Sequence, residues 1–284
     1  MTNASSPWTA PDEASPEPSS PPAGPARADR IAALRQFLAQ AEHATRSAGA
    51  GRGSAALPLD LPALRDHLPA GGLACGCLHE MAPATASDTA AAFGFVTTLA
   101  GAALAARPGP AVLVVSRRGL AGHGMPYGHG LRRLGLDVSR LIVVDTKNET
   151  DALQALEESL HAEAGLAAVV GALGRSPDLT ASRRLSLAAS SSGSLLLLLR
   201  PAQAAGASAA ATRWRIAALP ASRDAHGSFA RWRWAVTLER CRNGRPGHWT
   251  IEWDHAAHRL RMAALLADRA LPARPGQAAV GRAR

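Results

Sequence analysis

The sequence is almost without lysine. Of 31 strong bases in 284 residues, Lys147 is the single lysine and every other one is arginine. A phosphate loop of the form G-x-x-x-x-G-K-[ST] needs its lysine against the β- and γ-phosphates. The residues before Lys147, LIVVDT, contain no glycine, so no such loop exists anywhere in the chain. Cysteine is scarce too. Cys75, Cys77 and Cys241 cannot make a disulfide framework. Cys75, Cys77 and His79 lack the second ligand pair of a zinc site, so no metal centre is expected. The chain does not open on a charged segment followed by an apolar one, so no secretory signal is expected. The longest uncharged run, Thr89 to Ala106, is rich in Ala, Gly and Thr, and is expected as a buried helix rather than a membrane span. No Ser/His/Asp order and no acid pair points to catalysis. A soluble cytoplasmic protein without cofactor is the expectation.

What is present is charge and apolar bulk. The formal charge is +9 and hydrophobic residues make up 47 %. The charge suits an acidic partner such as nucleic acid. Arginine and alanine in excess are also what a GC-rich genome produces, so charge alone does not specify one.

Residues 1–27 form a Pro/Ser/Ala tract with seven prolines, too poor in apolar groups to order itself. In 28–54, Ile31, Leu34 and Leu38 predict a short amphipathic helix followed by a Gly/Ser linker. Residues 55–268 are expected as the domain, and 269–284 as a flexible basic tail. Within the domain apolar runs alternate with helical segments. Cys77–Met81, Ala111–Val115, Leu141–Asp145, Ala167–Leu173 and Ser194–Arg200 predict strands. Ser87–Ala106, a turn of helix around Leu131–Leu134, Asn148 to about Glu163, and Asp178–Ser190 predict the helices. Uninterrupted apolar strands between helices imply a parallel sheet covered on both faces. The last third differs. Thr212–Leu219, Arg231–Arg240, His248–Asp254 and His258–Met262 predict strands without helices, with a hairpin at Asn243-Gly244 and Pro246-Gly247. That is an antiparallel extension of the same sheet.

The stretch LHEMAPATASDTAAAF (78–93) places a short polar loop between a strand and an apolar helix. With LPAGGLACGCLHEM (68–81) before it, the region resembles the RecA family around its phosphate loop. On that pattern Ala82 and Ser87 stand where the loop glycines would be. Asp88 stands at the lysine position, and Thr89 keeps the Ser/Thr. In AVLVVSRRG the catalytic glutamate position falls on Arg118, and in AAVVGALG the magnesium aspartate falls on Gly171. The resemblance implies an α/β fold with a RecA-like, P-loop-NTPase-type core, a mostly parallel central sheet and an antiparallel C-terminal extension. It also implies a vestigial nucleotide loop. With DLTASRRLSLAA (178–189) and RCRNGRPGHWTIEW (240–253), the whole resembles the ImuA family of damage-inducible mutagenesis proteins. That resemblance implies a non-catalytic accessory role in SOS-induced, error-prone translesion synthesis, in the cytoplasm and at the nucleoid after DNA damage. The implied partners are a Y-family-like polymerase homologue and an error-prone replicative polymerase, with RecA and DNA as further candidates. Two other readings stay open: a SulA-like cell-division inhibitor, and a divergent ATPase with a non-standard loop.

Arg213-Trp214-Arg215 and Arg231-Trp232-Arg233-Trp234 alternate base and aromatic. On a strand this sends tryptophans to one face and arginines to the other. Such an arginine face is either solvated surface or, with Arg240, Arg242 and Arg245, a basic stripe for DNA or an acidic partner. The Gly/His-rich stretch 122–130 is expected as a flexible connection at the strands' carboxyl edge, where α/β proteins bind ligands.

Overall fold

The computed structural model describes residues 56–69, 71–162, 165–203, 206–223 and 229–263. The expectations for 1–27, 28–54 and 269–284 lie outside the described residues. Two sheets are present. The smaller pairs β1 (Ala56–Pro58) with β2 (Gly72–Ala74), antiparallel, around the short helix α1 (Pro62–Arg65). The larger has nine strands. They are β3 (Leu78–Pro83), β4 (Ala111–Ser116), β5 (Leu141–Thr146), β6 (Ala168–Ala172), β7 (Leu195–Leu199), β8 (Thr212–Arg223), β9 (Phe229–Cys241), β10 (Gly247–Asp254) and β11 (Arg259–Met262). Their order is β11-β10-β9-β8-β3-β7-β6-β4-β5. The contacts from β8 to β5 are parallel and those from β8 to β11 antiparallel. The fold is therefore α/β with a mostly parallel mixed sheet, as expected, and β8 is the strand where direction changes.

Apolar runs place the strands. AVLVVS, AVVGA and LLLLL are buried at every position, because helices cover both faces there. On one face lie α2 (Thr89–Ala106), α3 (Gly128–Arg133), α1 and the small sheet. On the other lie α4 (Glu149–His161) and α5 (Leu179–Ser192). The segment Ala86–Ala106 is long and apolar enough to cross a membrane. Its core packing accounts for that composition: α2 is buried on several sides, with the sheet beneath and the α3–β5 connection above. A Cβ on Gly101 would lie 2.7 Å from the Gly135 carbonyl oxygen, so only glycine allows this approach. Side chains fix the starts of α4 and α5 as expected. Asn148 accepts from the Asp151 N–H at 2.9 Å, and Asp178 from the Ala181 N–H at 2.7 Å.

Among the described residues no helix covers the second face beyond β3. Trp214, Ile216, Trp234, Val236, Ile251 and Trp253 are buried toward α2. Arg213, Arg215, Arg231, Arg233 and Glu252 alternate with them on the open side. The expectation that every parallel strand is covered on both faces fails at β5. It is the sheet edge, with β4 alone beside it, and Ile142 and Val143 on its two faces remain exposed.

His79 ties β3 to β8 in the core. Trp214 Nε1 donates to the Thr212 hydroxyl at 2.6 Å, and Thr212 lies 2.7 Å from His79 Nδ1. His79 Nε2 meets the Ala74 carbonyl at 2.8 Å, so this nitrogen carries the proton and Nδ1 accepts. Burial holds the imidazole far below its ordinary 6.5, at about 4, against a smaller opposing contribution from the Ala74 carbonyl. The unfolded chain binds this proton near 6.5 and the folded one only near 4. Stability from this group is therefore full above pH 6.5 and falls as pH drops. The expected loss is about 2 kcal/mol between pH 7 and 5. Urea unfolding at pH 7, 6 and 5 checks this, and His79→Gln should flatten the dependence.

Candidate functional site

The segment between β3 and α2 is short and closed. Ala82 is buried inside β3, whereas Ser87 is exposed in a single 3₁₀ turn, Ala86–Asp88. Neither can act as a loop glycine, because the backbone here follows a strand and then a helical turn. Asp88 faces the protein. Its Oδ2 accepts from the Thr85 N–H at 3.0 Å and the Thr85 hydroxyl at 2.7 Å. Its Oδ1 accepts from the Ala218 N–H at 2.8 Å, reaching across to β8. Partial burial opposes the charge, but the Ala218 and Thr85 hydrogen bonds outweigh it and lower the carboxyl below its ordinary value. Thr89 turns its hydroxyl to the Ala86 carbonyl at 2.7 Å. The residue at the lysine position is thus a clasp between the loop and β8. Asp88→Ala should cost about 0.5–1.5 kcal/mol, the net worth of its hydrogen bonds to Ala218 and Thr85 where water can replace the carboxylate. Thermal unfolding of the purified variant measures this.

The other two positions are no more open to a metal nucleotide. Arg118 lies exposed after β4. Its backbone packs so closely on Gly174 that a Cβ there would come within 2.3 Å of the Arg118 Cβ. Gly171 is sealed: a Cβ would stand 2.7 Å from Leu198 Cδ1 and 2.9 Å from Leu156 Cδ1. It faces α4, whereas the loop joins α2 on the other side of the sheet. The space left between these loops is about 260 Å³, lined by Ala86, Thr89, Arg118, Leu173, Arg200 and Gln203. Ligand pockets generally begin near 300 Å³.

Sequence reasoning missed two polar clusters nearby. Glu80 is buried in β3, with its Oε2 3.0 Å from Arg213 Nε and 3.3 Å from Arg200 Nε. Ser208 donates to its Oε1. Glu149 links the carboxyl ends of two strands, its Oε1 accepting from the Ser116 hydroxyl at 2.7 Å and the Gly174 N–H at 3.0 Å. It also lines a cleft of about 520 Å³ with Thr150, Ser176, Asp178 and Leu179. A charged residue inside an apolar strand was the one available signal for Glu80. None marked Glu149, which reads as an ordinary first-turn acid.

The arginines divide into groups rather than forming one stripe. Arg213 belongs to the Glu80 cluster. Arg215 pairs with Glu239 at 2.7 Å and donates to the Ala202 carbonyl at 2.8 Å. Arg231 and Arg233 share Glu252, at 3.5 and 3.3 Å. Arg240, Arg242 and Arg245 donate to the carbonyls of Ser208, Ala209 and Asp66. Arg231 and Arg242 lie at opposite ends of β9, about 35 Å apart at 3.3 Å per residue. The arginines do face away from the tryptophans, but carboxylates among them neutralise part of the charge. Between the two ends the open face is lined by Ala217, Ala235, Thr237 and Thr250. Of the cysteine–histidine segment, His79 has both ring nitrogens engaged, and among the described residues no three metal-binding side chains gather.

No protein-family model matches the chain. It is 37 % identical over 224 residues to Protein ImuA of Caulobacter vibrioides strain NA1000 / CB15N. That alignment covers 73 % of this chain and 88 % of the relative. Protein ImuA of C. vibrioides strain ATCC 19089 / CIP 103742 / CB 15 matches to the same extent.

Proposed function

The chain belongs to the ImuA family, and from this premise we propose that it serves damage-inducible mutagenesis as a binding protein with no nucleotide chemistry of its own. The reading is of a RecA-like accessory factor in error-prone translesion synthesis, cytoplasmic and drawn to the nucleoid after damage. Its partners would be a Y-family-like polymerase homologue and an error-prone replicative polymerase, with RecA and DNA as further contacts. One observation carries the non-catalytic part. Asp88, at the position of the phosphate-loop lysine, is spent on Thr85 and Ala218, where a carboxylate also repels a triphosphate. Gly171 and Arg118 agree with it.

The surface proposed for the protein partner is the open face of β8–β11, with small residues at its centre and paired arginines around them. Paired charges at a rim set orientation and association rate, and small central residues admit a partner's anchor.

Purified protein should show no ATP turnover above an unrelated control and no thermal shift with millimolar Mg-ATP. A shift of several degrees would overturn the non-catalytic reading, because a ligand of the native state must stabilise it. Asp88→Lys alone should not create turnover, since the loop has no glycines. For the docking face, Ala235→Glu puts a charge at its centre without removing any ion pair. It should fold normally and fail to retain the polymerase partner in a pull-down from DNA-damaged cells. Retention at the wild-type level would exclude this face.

A further inference from the structure

Three of the large apolar side chains left exposed belong to two segments at the carboxyl edge, the connection after β4 and the start of β9. Tyr127 caps the start of α3 and is 72 % exposed, with Met125 just before it. Trp232, on β9, is 40 % exposed, although Trp234, two residues on, is buried on the same face. Each aromatic has a histidine beside it. Tyr127 and His129 have ring centroids 5.1 Å apart, and Trp232 meets His255 edge-on at 4.4 Å.

The two pairs are linked through α3. Its last residue, Arg133, offers its carbonyl to Trp253 Nε1 at 3.1 Å, and Trp253 is the cross-strand neighbour of Trp232. The helix has six residues, about 9 Å, so the pairs lie within a few nucleotide lengths of each other. Arg133 and Arg118 are exposed at the same edge. Burial first, and then the Arg133 guanidinium, hold the His255 imidazole below its ordinary value. The local carboxylates are engaged: Asp88 as described, and Asp254 with Arg261 at 3.2 Å and with the Ala256 and Ala257 N–H groups.

We infer that this edge binds single-stranded nucleic acid, with bases stacked on Trp232 and Tyr127 and phosphates held by Arg133 and Arg118. Stacking platforms beside guanidinium groups are how a protein holds unpaired bases without reading sequence. A duplex hides its base faces and would gain from the arginines alone. An acidic protein would answer the arginines too, but two exposed aromatic rings, each beside a histidine ring, offer flat faces that suit bases better than a carboxylate. The inference does not rest on the polymerase-docking face, which lies on the opposite side of the sheet.

The test is fluorescence anisotropy of a labelled oligothymidylate of roughly 16 nucleotides, titrated with the full-length chain at two salt concentrations. The same-length duplex, Ala235→Glu and Trp232→Phe serve as controls. Trp232→Ala and Tyr127→Ala should each weaken single-strand binding roughly 5- to 100-fold, with unchanged circular dichroism. Trp232→Phe should recover only part of the binding that Trp232→Ala loses, and Ala235→Glu, on the opposite side of the sheet, should bind DNA as the wild type does. Arg133→Ala should lower the salt dependence by about one unit. Absence of saturable wild-type binding at low salt overturns the inference. So does equal affinity for duplex, or aromatic-to-alanine variants that bind normally. Loss of partner capture in those variants with DNA binding intact would assign the patch to a protein and overturn it as well.

Discussion

Glu80→Ala is expected to lower the unfolding free energy by about 3–5 kcal/mol. Glu80 and Arg200 are both buried, and Arg213 reaches the same carboxylate from β8. Removing the carboxylate leaves the Arg200 charge inside the protein without this counter-charge, and it strips the Ser208 hydroxyl of its acceptor. The loss should exceed that from any surface ion pair here, such as Arg259 with Asp60 at 3.9 Å. Urea denaturation of the single variants gives the value. A second comparison separates charge from shape: Glu80→Leu with Arg200→Leu should be more stable than Glu80→Leu alone, because an apolar pair tolerates burial better than a buried cation that has lost its Glu80 counter-charge. A Glu80→Ala protein within 1 kcal/mol of wild type would mean that water reaches the cluster.

Gly171→Asp, which puts a carboxylate where the RecA pattern has its magnesium aspartate, should destabilise by about 3 kcal/mol or more and bind no metal nucleotide. Its Cβ alone would press on Leu198 and Leu156, and the carboxylate would enter an apolar layer without a donor. Gly171→Ala should cost less, about 1–2 kcal/mol, because leucine tips can move aside. Thermal unfolding of both, with and without Mg-ATP, decides the matter. An aspartate variant as stable as wild type would show that the leucines part and that the position is reachable.

Much of the architecture was legible because it rests on short-range pattern. AVLVV and LLLLL announce strands buried on both faces, Asn148 and Asp178 announce helix starts, and the Arg–Trp alternation separates two sheet faces. What stayed hidden depends on neighbours far apart in the chain. Alternation says that Arg213 and Arg231 share a side, but not that Glu80 and Glu252 stand opposite them. Nothing local in LIVVD tells that β5 is an edge, since edge and centre differ only in what lies beyond. The loop at 82–89 was readable as lacking its lysine and glycines. That Asp88 holds Ala218 was not, because the partner sits 130 residues away. Trp232 shows the same limit: periodicity assigned it to the buried face, and only the end of the sheet leaves it in the open.

The turning point of the sheet at β8 also sets a schedule. β3 closes on β8, so His79 waits for Thr212, Glu80 for Arg213 and Asp88 for Ala218. Glu80 and Arg213 are 133 residues apart. At 5–20 residues per second, a ribosome needs roughly 7–27 s to bridge that gap. During that interval the nascent chain carries β3 with His79 and Glu80 each still lacking its contact on β8. The early half can collapse around α2, yet it cannot become native until the antiparallel strands emerge. Chains cut short before residue 223 therefore present an open seam at the middle of the sheet, where chaperones and proteases will meet them first.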